Sequence, residues 1–387
     1  MHLVTARFRK RIVSLAVLLI LPFGGGCRPG PWTLWRSYSA RFIDQQGRVV
    51  DPKGNRTTSE GQAFALFFAL VDNDRPRFDR VLEWTQYNLA QGDLGAHLPA
   101  RLWGKDADGS LKVLDPNSAS DADIWLAYTL IEAGRLWNQP GYGAIGRQMM
   151  AQIAGREVFD LPGFGPMLLP GPSGFEHKDS WTLNPSYLPL FIFERFGTVD
   201  PAGPWQKIAH SIPQLLRDSS RNGYAMDWVN YAPAGGFSPV PGFPDPSAEP
   251  PGGSDDAIRV YLWAGMLDEQ DGARAEILDA LHSMNSYLAD HEAPPERISD
   301  QGVPSDKDGV VGFSAAVMPY LRAIPGGGKA LVRQTIRINA QKDPGTGMYG
   351  RELTYYDQNL ALFATGFLGK RFSVGPGGEL TVEWSRS

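Results

Sequence analysis

The chain has 387 residues, of which 42% are apolar and 20% are charged, and its formal net charge is -5. A chain of this size and composition can bury a large core and lacks the charge-rich composition of a disordered protein. The acidic balance provides no basic surface for nucleic acid, and no glycine-rich phosphate loop is present. The composition therefore predicts a globular protein without a nucleic-acid partner.

The first 27 residues have the three parts of an export signal. Basic residues between Arg7 and Arg11 precede an apolar segment, 12–23, which ends in small residues before Cys27. The apolar segment is shorter than the roughly 20 residues that a membrane-spanning helix needs. We therefore expect residues 1–27 to direct export to the periplasm or the medium, and residues 28–387 to form a single domain.

Cys27 allows a second interpretation of the same signal. A cysteine that follows small residues is typical of a lipoprotein cleavage site, although Gly24 stands where such sites carry leucine. Lipidation at Cys27 would attach the protein to a membrane. Because Cys27 is the only cysteine, no intrachain disulfide can form.

From residue 31 onward the apolar pattern predicts pairs of helices, each with a nearly all-apolar inner helix and an amphipathic outer helix. The clearest pair is 59–73 and 75–90. The other predicted helices span 31–42, 120–137, 142–154, 184–196, 201–218, 254–267, 272–289, 312–323, 328–340 and 355–369. No strand-rich block interrupts them. Six inner and six outer helices predict an all-α fold, a closed ring of helical hairpins.

Polar residues stand at the starts of the predicted inner helices. If these helices run parallel around a ring, their N-termini line one common cleft. The residues at these starts are Glu60, Asp121, Asp123, Tyr187, Asp255, Asp256, Tyr355 and Tyr356. Any one carboxylate alone is explained by helix capping, but their coincidence at one end of the ring predicts a functional site.

Glu60 begins the most apolar of these helices. One interpretation is that Thr58 or Ser59 caps the helix and that Glu60 complements the helix dipole. Burial of the helix favours a chemical role, because a carboxyl group carried into an apolar interior has a raised pKa and can act as a general acid.

Tryptophan residues precede several of these helix starts, including Trp103, Trp181 and Trp228. Their rings suit stacking against neutral sugar faces.

The absence of histidine and cysteine clusters argues against a metal hydrolase and against Ser-His-Asp chemistry, so neither a metal nor a cofactor is expected. Two carboxylates on either side of a sugar bond are the usual equipment for glycoside hydrolysis. The pattern therefore indicates glycosidic chemistry.

The stretch 119–137, ASDADIWLAYTLIEAGRLW, resembles the signature of glycoside hydrolase family 8. The similarity is strongest to the periplasmic endoglucanase branch associated with bacterial cellulose synthesis, and it covers nearly all of 30–372. Further similar segments are TSEGQ at 58–62, WTQYNL at 84–89, LWGK at 102–105, NPSYL at 184–188, DAIRV at 256–260 and VGFSAA at 311–316. The resemblance implies an (α/α)6 barrel and an inverting endo-β-1,4-glucanase without a cofactor.

The resemblance also implies roles for individual residues. Glu60 would be the general acid, Asp256 the general base that activates water, and Asp121 the carboxylate that holds the distorted sugar. The residues expected to bind substrate are Trp103, Asp123, Trp181, Tyr187, Arg259 and Tyr355. Arg259 would also pair with a carboxylate and keep it ionised, and Gly61 would leave room for a sugar ring.

One position departs from the pattern of that branch. Asp255 stands where a tyrosine usually precedes the Asp-Ala-Ile-Arg segment. A second carboxylate beside the base leaves open which of the two aspartates takes the proton. The alignment with the Asp-Ala-Ile-Arg segment favours Asp256.

Alternative functions remain open in the sequence. The substrate is expected to be a β-glucan, with xylan, chitosan and mixed-linkage glucan as alternatives, and a partnership with the cellulose synthase export machinery would follow from the resemblance. A non-catalytic glycan-binding protein of the same fold is a further alternative. A lyase acting on anionic sugars would need a basic cleft, whereas only Arg259 and Lys105 are basic near the predicted site.

Overall fold

The computed structural model describes residues 31–242 and 250–386. The predicted export signal, with Cys27, lies outside the described residues. Trp32–Ser387 forms one compact unit. Among the described residues, none of the helices has the length and apolar character needed to cross a membrane.

Six helices are buried on nearly all sides and form an inner ring. They are α2 (Ser59–Val71), α4 (Ser120–Leu136), α6 (Leu190–Val199), α8 (Ala257–Met266), α11 (Val311–Ala323) and α13 (Tyr355–Leu368). In α2, every residue except Glu60 is buried. Phe363 of α13 contacts Phe64 and Phe68 of α2, with ring centroids 5.0 and 4.6 Å apart, and so joins the last inner helix to the first. The predicted all-α (α/α)6 architecture is confirmed.

The remaining helices of the described chain form an outer layer, and six of the seven pack against an inner helix. They are α1 (Thr33–Phe42), α3 (Arg75–Leu89), α5 (Pro140–Arg156), α7 (Trp205–Ser219), α9 (Arg274–Ala280), α10 (His282–Asp290) and α12 (Gly328–Ala340). The first helix, α1, is the outer partner of the last inner helix, α13, and so completes the count of six pairs among the described residues. Amphipathic sequences form this layer because one face packs inward and the other meets water.

Two predicted helices are interrupted in the structure. The single outer helix expected at 272–289 is divided at Leu281, whose carbonyl oxygen accepts a hydrogen bond from the Tyr320 hydroxyl at 2.8 Å. The inner helix expected at 184–196 begins instead as a 3-10 turn, Pro185–Tyr187, and α6 follows Pro189. Pro189 accounts for the second break, since a residue that precedes proline avoids the helical conformation.

Twelve short strands, which the sequence pattern did not predict, lie in the connections among the described residues. Two three-stranded sheets contain β1 (Thr57–Thr58), β2 (Leu102–Lys105) and β3 (Leu111–Asp115), and β6 (Trp181–Leu183), β7 (Val229–Ala232) and β8 (Gly236–Pro239). Two-stranded sheets pair β4 (Val158–Leu161) with β5 (Gly165–Leu168), β9 (Gly252–Gly253) with β10 (Ile298–Ser299), and β11 (Phe372–Val374) with β12 (Leu380–Val382). All of the pairings are antiparallel. Runs of two to five residues are too short to show a clear alternation.

A buried ion cluster lies near the C-terminal end of α4, and we call Glu132, Arg135 and Arg195 the Glu132 cluster. The Glu132 side chain is 0% exposed. It accepts hydrogen bonds from Arg195 Nε at 2.6 Å, from Arg135 Nε at 3.0 Å and from the Leu380 backbone N–H at 3.0 Å. The cluster therefore ties α4, α6 and the β11–β12 hairpin together.

Candidate active site

Arg259, in the first turn of α8, contacts the three carboxylates expected to carry the chemistry. Its side chain is 5% exposed. Nη1 donates to Glu60 Oε1 and lies 3.7 Å from Asp121 Oδ2, while Nη2 donates to Asp256 Oδ1 at 2.6 Å. The fold thus brings together the starts of α2, α4 and α8, as the helix-start pattern predicted. We call these four residues the Arg259 cluster.

Glu60 is mounted on the first turn of α2. The Thr58 side chain caps this helix, with Oγ1 accepting from the Gly61 N–H at 3.1 Å, so the Glu60 carboxyl is not used as a cap. Its side chain is 23% exposed. Burial raises the pKa of Glu60 above its ordinary value; the Arg259 charge opposes this shift and the Asp256 charge reinforces it. Such a carboxyl can hold a proton and still reach a substrate.

Asp121 lies deeper, with its side chain 7% exposed. Burial, followed by the charge of Glu60, raises the pKa of Asp121 to about 8, although Arg259 and the Ala122 N–H oppose the shift. One arginine faces three carboxylates, and this excess negative charge is relieved when a carboxyl group binds a proton. Glu60 and Asp121 therefore titrate as a pair that holds a proton at neutral pH.

Asp256 directly precedes α8 and is held by two donors. Asn184 Nδ2 donates to Oδ2 at 2.9 Å, and Arg259 donates to Oδ1. The Asp256 side chain remains 28% exposed. The two donors fix the orientation of the carboxylate while part of it stays open to water.

Asp255 is placed differently from Asp256. It is exposed, and its backbone carbonyl accepts a hydrogen bond from the Tyr356 hydroxyl. It lines a cavity of about 680 Å³ together with Tyr355 and Tyr356. Asp256 is therefore the member of this Asp-Asp pair that belongs to the Arg259 cluster.

Tyr187 lies beside the Arg259 cluster. Its ring centroid is 5.7 Å from the Arg259 Cζ atom and 6.1 Å from the ring of Trp228. Burial and the charge of Asp121 raise the pKa of the Tyr187 hydroxyl well above its ordinary value. Tyr187 therefore stays neutral and can offer a sugar both a hydroxyl group and a ring edge.

Trp103 and Trp181 lie on strands and not in loops. Trp103, on β2, pairs with Thr57 just before α2, and the Arg48 guanidinium lies 4.4 Å from its ring centroid. Trp181, on β6, pairs with Tyr231. Both tryptophans are largely covered, at 9% and 8% exposure, so each offers a sugar only part of its ring.

Tyr355 fills the space that we expected Gly61 to leave for a sugar. A Cβ atom added at Gly61 would collide with the Tyr355 hydroxyl. The Tyr355 ring packs edge-on against Phe42, with centroids 5.8 Å apart, and 6.1 Å from Tyr38. Gly61 is therefore required by the packing of Tyr355 beside Glu60, and the expectation of an open space is wrong.

Asp123 faces away from the Arg259 cluster. It is 0% exposed and lies beside Glu157 and Ser118, with the Ser118 Oγ donating to Glu157 Oε1 at 2.5 Å. Burial raises the pKa of both carboxyls, that of Glu157 to about 7. Two residues along a helix correspond to roughly 200° of rotation, so Asp121 and Asp123 project from opposite faces of α4. The predicted sugar contact finds no support in this position.

Three further polar residues contribute to the site. Asn184 and Ser186 lie in the segment that was singled out for Tyr187, and Ser186 Oγ accepts from Arg259 Nη2 at 3.0 Å. Asp227 accepts hydrogen bonds from the turn that precedes α8. Asn184 and Ser186 could have been found from their neighbourhood in the sequence, whereas nothing in the sequence around Asp227 marks it.

Within residues 31–242 and 250–386, no group of three metal-ligating side chains is arranged to hold an ion.

The family model and the similar proteins agree on one family for this chain. The model of glycosyl hydrolases family 8 matches residues 8–370. An endoglucanase of Xanthomonas axonopodis pv. citri (strain 306) is 44% identical over 393 residues, which cover 97% of each chain. An endoglucanase of Escherichia coli (strain K12) is 38% identical over 383 residues, covering 98% of this chain and 97% of that one.

A solved structure agrees with these relatives. The crystal structure of an endo-1,4-D-glucanase from Vibrio fischeri ES114 matches with a TM-score of 0.81 and 36% identity, and covers 91% of this chain and 99% of that one. The family expected from the signature stretch is confirmed. The chain belongs to glycosyl hydrolase family 8.

Proposed function

We propose that the protein is an endo-β-1,4-glucanase that hydrolyses cellulose chains with inversion at the anomeric carbon. The observation that carries the proposal is the Arg259 cluster, in which one guanidinium joins a proton-holding carboxyl, Glu60, to a solvent-accessible carboxylate, Asp256. Glycoside hydrolysis by inversion requires one group of each kind, on opposite sides of the scissile bond.

Each residue of the cluster has a distinct task. Glu60 donates its proton to the glycosidic oxygen as the bond to the anomeric carbon breaks. Asp256 removes a proton from the water that attacks the opposite face of the sugar. Asp121, beside Arg259, hydrogen-bonds the sugar at the cleavage point, and Arg259 stabilises the negative charge that Glu60 acquires.

The raised pKa values set the direction of the pH dependence. The Glu60–Asp121 pair must hold its proton for catalysis. Activity should therefore fall on the alkaline side as the pair loses this proton, near the pKa of about 8 to which burial raises the Asp121 carboxyl. Activity is expected to be highest below about pH 8 and to decline above it.

β-1,4-glucan is the preferred substrate class because the endo-1,4-D-glucanase from Vibrio fischeri and the endoglucanases from Xanthomonas axonopodis and Escherichia coli match this chain over nearly its full length. The Tyr187 ring beside the cluster suits a neutral sugar, and Trp103 on β2 and Trp181 on β6 are further aromatic candidates for such contacts. Xylan, chitosan and mixed-linkage glucan are the alternatives that a substrate panel separates.

Release of reducing ends from carboxymethyl cellulose tests the proposal. In Glu60→Gln and Asp256→Asn we expect kcat to fall by about 10²- to 10⁴-fold, the usual contribution of a general acid or base. Glu83→Gln, an exposed position on α3, serves as the matched control. Undiminished activity in Glu60→Gln would falsify the assignment. A rapid fall in viscosity relative to reducing-end release distinguishes endo from exo action.

The stereochemical outcome is tested separately. Proton NMR of cellohexaose hydrolysis should show the α-anomer as the first product, because inversion converts a β-linkage into an α-configured end. Initial formation of the β-anomer would show retention and would require a covalent nucleophile.

We further propose that the protein is exported and acts on β-glucan at the cellulose synthase export machinery. The basic and apolar segments before Cys27 and the resemblance to the cellulose-synthesis branch support this proposal. Cell fractionation of the full chain would test export, and radiolabelled palmitate would test lipidation with Cys27→Ser as the control. Co-purification with the synthase complex would test the partnership.

A further inference from the structure

Asp227 precedes β7 and is buried, at 8% exposure. Its Oδ1 accepts hydrogen bonds from the backbone N–H groups of Ser254 at 2.8 Å and Ala257 at 2.7 Å. Its Oδ2 accepts from the Ser254 hydroxyl at 2.7 Å. One carboxylate therefore fastens the turn from Ser254 to Ala257, which contains the proposed base, Asp256.

Asp227 caps the start of α8, a task that the N-cap residue Asp256 would otherwise perform. The first N–H groups of a helix have no partner within the helix, and an aspartate at the N-cap position commonly accepts from them. Asp256 stands at that position before α8, but its side chain makes no cap bond and instead contacts Asn184 and Arg259. Asp227 supplies an acceptor from a different segment, so the Asp256 carboxylate remains available for chemistry.

The same two segments also meet through their backbones. The Asp227 N–H donates to the Gly252 carbonyl at 2.8 Å. A Cβ atom added at Gly253 would collide with the Ala225 carbonyl oxygen, so only glycine allows this close approach. The turn is therefore held against residues 225–227 by contacts that leave little freedom.

We infer that Asp227 is a positioning residue for the general base, an external helix cap that holds Asp256 in place through Ser254 and Ala257. The inference rests on the proposed function for its catalytic consequence. A displacement of about 1 Å at a reacting group can reduce the rate on the order of 100-fold.

Asp227 also carries a charge that faces Asp256. Burial, followed by the charge of Asp256, raises the pKa of Asp227 to about 6, although the hydrogen bonds from Ser254 and Ala257 oppose the shift. A substitution that keeps the hydrogen bonds but removes this charge should therefore alter the pH profile more than the rate.

Kinetics of three full-length variants on carboxymethyl cellulose test the inference. In Asp227→Ala, kcat should fall about 100-fold while KM changes less than about threefold, because the base is displaced and the sugar contacts remain. In Asp227→Asn, the amide oxygen can still accept from both N–H groups, and the amide nitrogen can donate to Ser254. We expect kcat within about tenfold of wild type and a pH profile of kcat/KM that differs from wild type near pH 6, where the Asp227 carboxyl of the wild type titrates.

Asp74→Ala is the matched control, since Asp74 caps the outer helix α3 by accepting from the Arg77 N–H and lies outside the Arg259 cluster. It should lower Tm and leave kcat unchanged. If Asp227→Ala behaves in the same way, with normal kcat and an unchanged pH profile, the inference is overturned.

Hydrogen exchange provides a readout that needs no substrate. The amide hydrogens of a peptide that covers 252–258 should exchange faster in Asp227→Ala than in wild type or Asp74→Ala. Unaltered exchange would refute the inference that Asp227 holds this turn, even if activity changed. If Asp227→Ala does not fold, Ser254→Ala removes one of the three bonds and should give an intermediate increase in exchange. A wild-type protein that cleaves no glucan would overturn the proposed function, and the exchange experiment would still show whether Asp227 holds the turn before α8.

Discussion

The Glu132 cluster and the Arg259 cluster lie at opposite ends of α4 and contain the same residue types in opposite proportions. Glu132 is surrounded by two arginines and a backbone N–H, so its buried charge is fully compensated. Arg259 is surrounded by three carboxylates, so negative charge exceeds positive charge. Buried charge is tolerated when it is paired, and an unpaired carboxyl responds by binding a proton.

The difference separates a structural cluster from a chemical one. The Glu132 cluster has donors for its carboxylate oxygens and connects elements that are remote in sequence. The Arg259 cluster keeps a proton in its Glu60–Asp121 pair at neutral pH because it lacks a second cation. The ratio of carboxylates to arginines is thus opposite in the two clusters, which fits a stabilising role for the Glu132 cluster and the proton-transfer role that we propose for the Arg259 cluster.

The largest effect on stability is expected at the Glu132 cluster. Glu132→Gln should lower the free energy of unfolding by about 3–5 kcal/mol, because the largely covered Arg195 loses the charge of its fully buried partner. Chemical denaturation monitored by tryptophan fluorescence measures this loss. The kcat of the folded enzyme should not change, since eleven residues of helix place Asp121 about 16 Å from Glu132.

Glu276→Gln is the matched control for that measurement. Glu276 forms an exposed pair with Arg217, and loss of such a pair should cost less than about 1 kcal/mol. If Glu132→Gln is no more destabilising than Glu276→Gln, or if it reduces kcat, the division between a structural and a chemical cluster is wrong.

The next largest effect is expected from Asp121→Asn, which removes part of the excess charge. We expect kcat/KM to fall about 10²- to 10³-fold, as for the loss of one group that stabilises a transition state, while Tm rises at neutral and alkaline pH. A carboxyl with a raised pKa binds its proton more tightly in the folded state, so its contribution to stability declines as pH rises from about 4 to about 8.

Thermal unfolding of wild type and Asp121→Asn across this pH range measures the effect. The two Tm values should agree near pH 4 apart from a constant offset and should diverge in favour of the variant up to about pH 8. Parallel curves would show that Asp121 is ionised in the folded protein and would remove the argument for a shared proton.

A smaller effect is expected from Gly61→Ala, which tests whether packing holds Glu60 against Arg259. The added methyl group would meet the Tyr355 hydroxyl and should cost about 1–3 kcal/mol, as overpacking usually does. Tyr355→Phe in the same chain removes the hydroxyl and should recover part of the loss. Urea denaturation of the single and double variants measures the coupling, and additive effects would contradict a direct contact.

Much of the helical framework could be predicted from the chain alone. The predicted starts of α2, α3, α4, α12 and α13 agree with the structure, and all of these helices except α4 begin directly after a polar or turn-forming residue. The short strands could not be predicted, since a strand such as β1, with two residues, is stabilised by its partner β2 and not by its own sequence. The break at Leu281 likewise depends on Tyr320, which lies 39 residues away.

The candidate site could be predicted only in part. Glu60, Asp121, Asp256 and Arg259 share a position at the start of inner helices, and that regularity is visible in the sequence. Helical rotation places Asp123 on the opposite face from Asp121, but only the packed neighbour Glu157 shows which face is buried. Conversely, Asp227 lies outside every helix, so its contact with the turn before α8 has no sequence signal.

The sequence by itself determined where most of the helices lie and which polar groups stand at their starts, because these properties depend on neighbours within a few positions. The tertiary structure alone decided the charge balance, since pairing depends on which segments meet. It set three carboxylates around Arg259 and two arginines around Glu132. It also filled the space beside Gly61 with Tyr355 and left the Asp256 carboxylate available by capping its turn with Asp227.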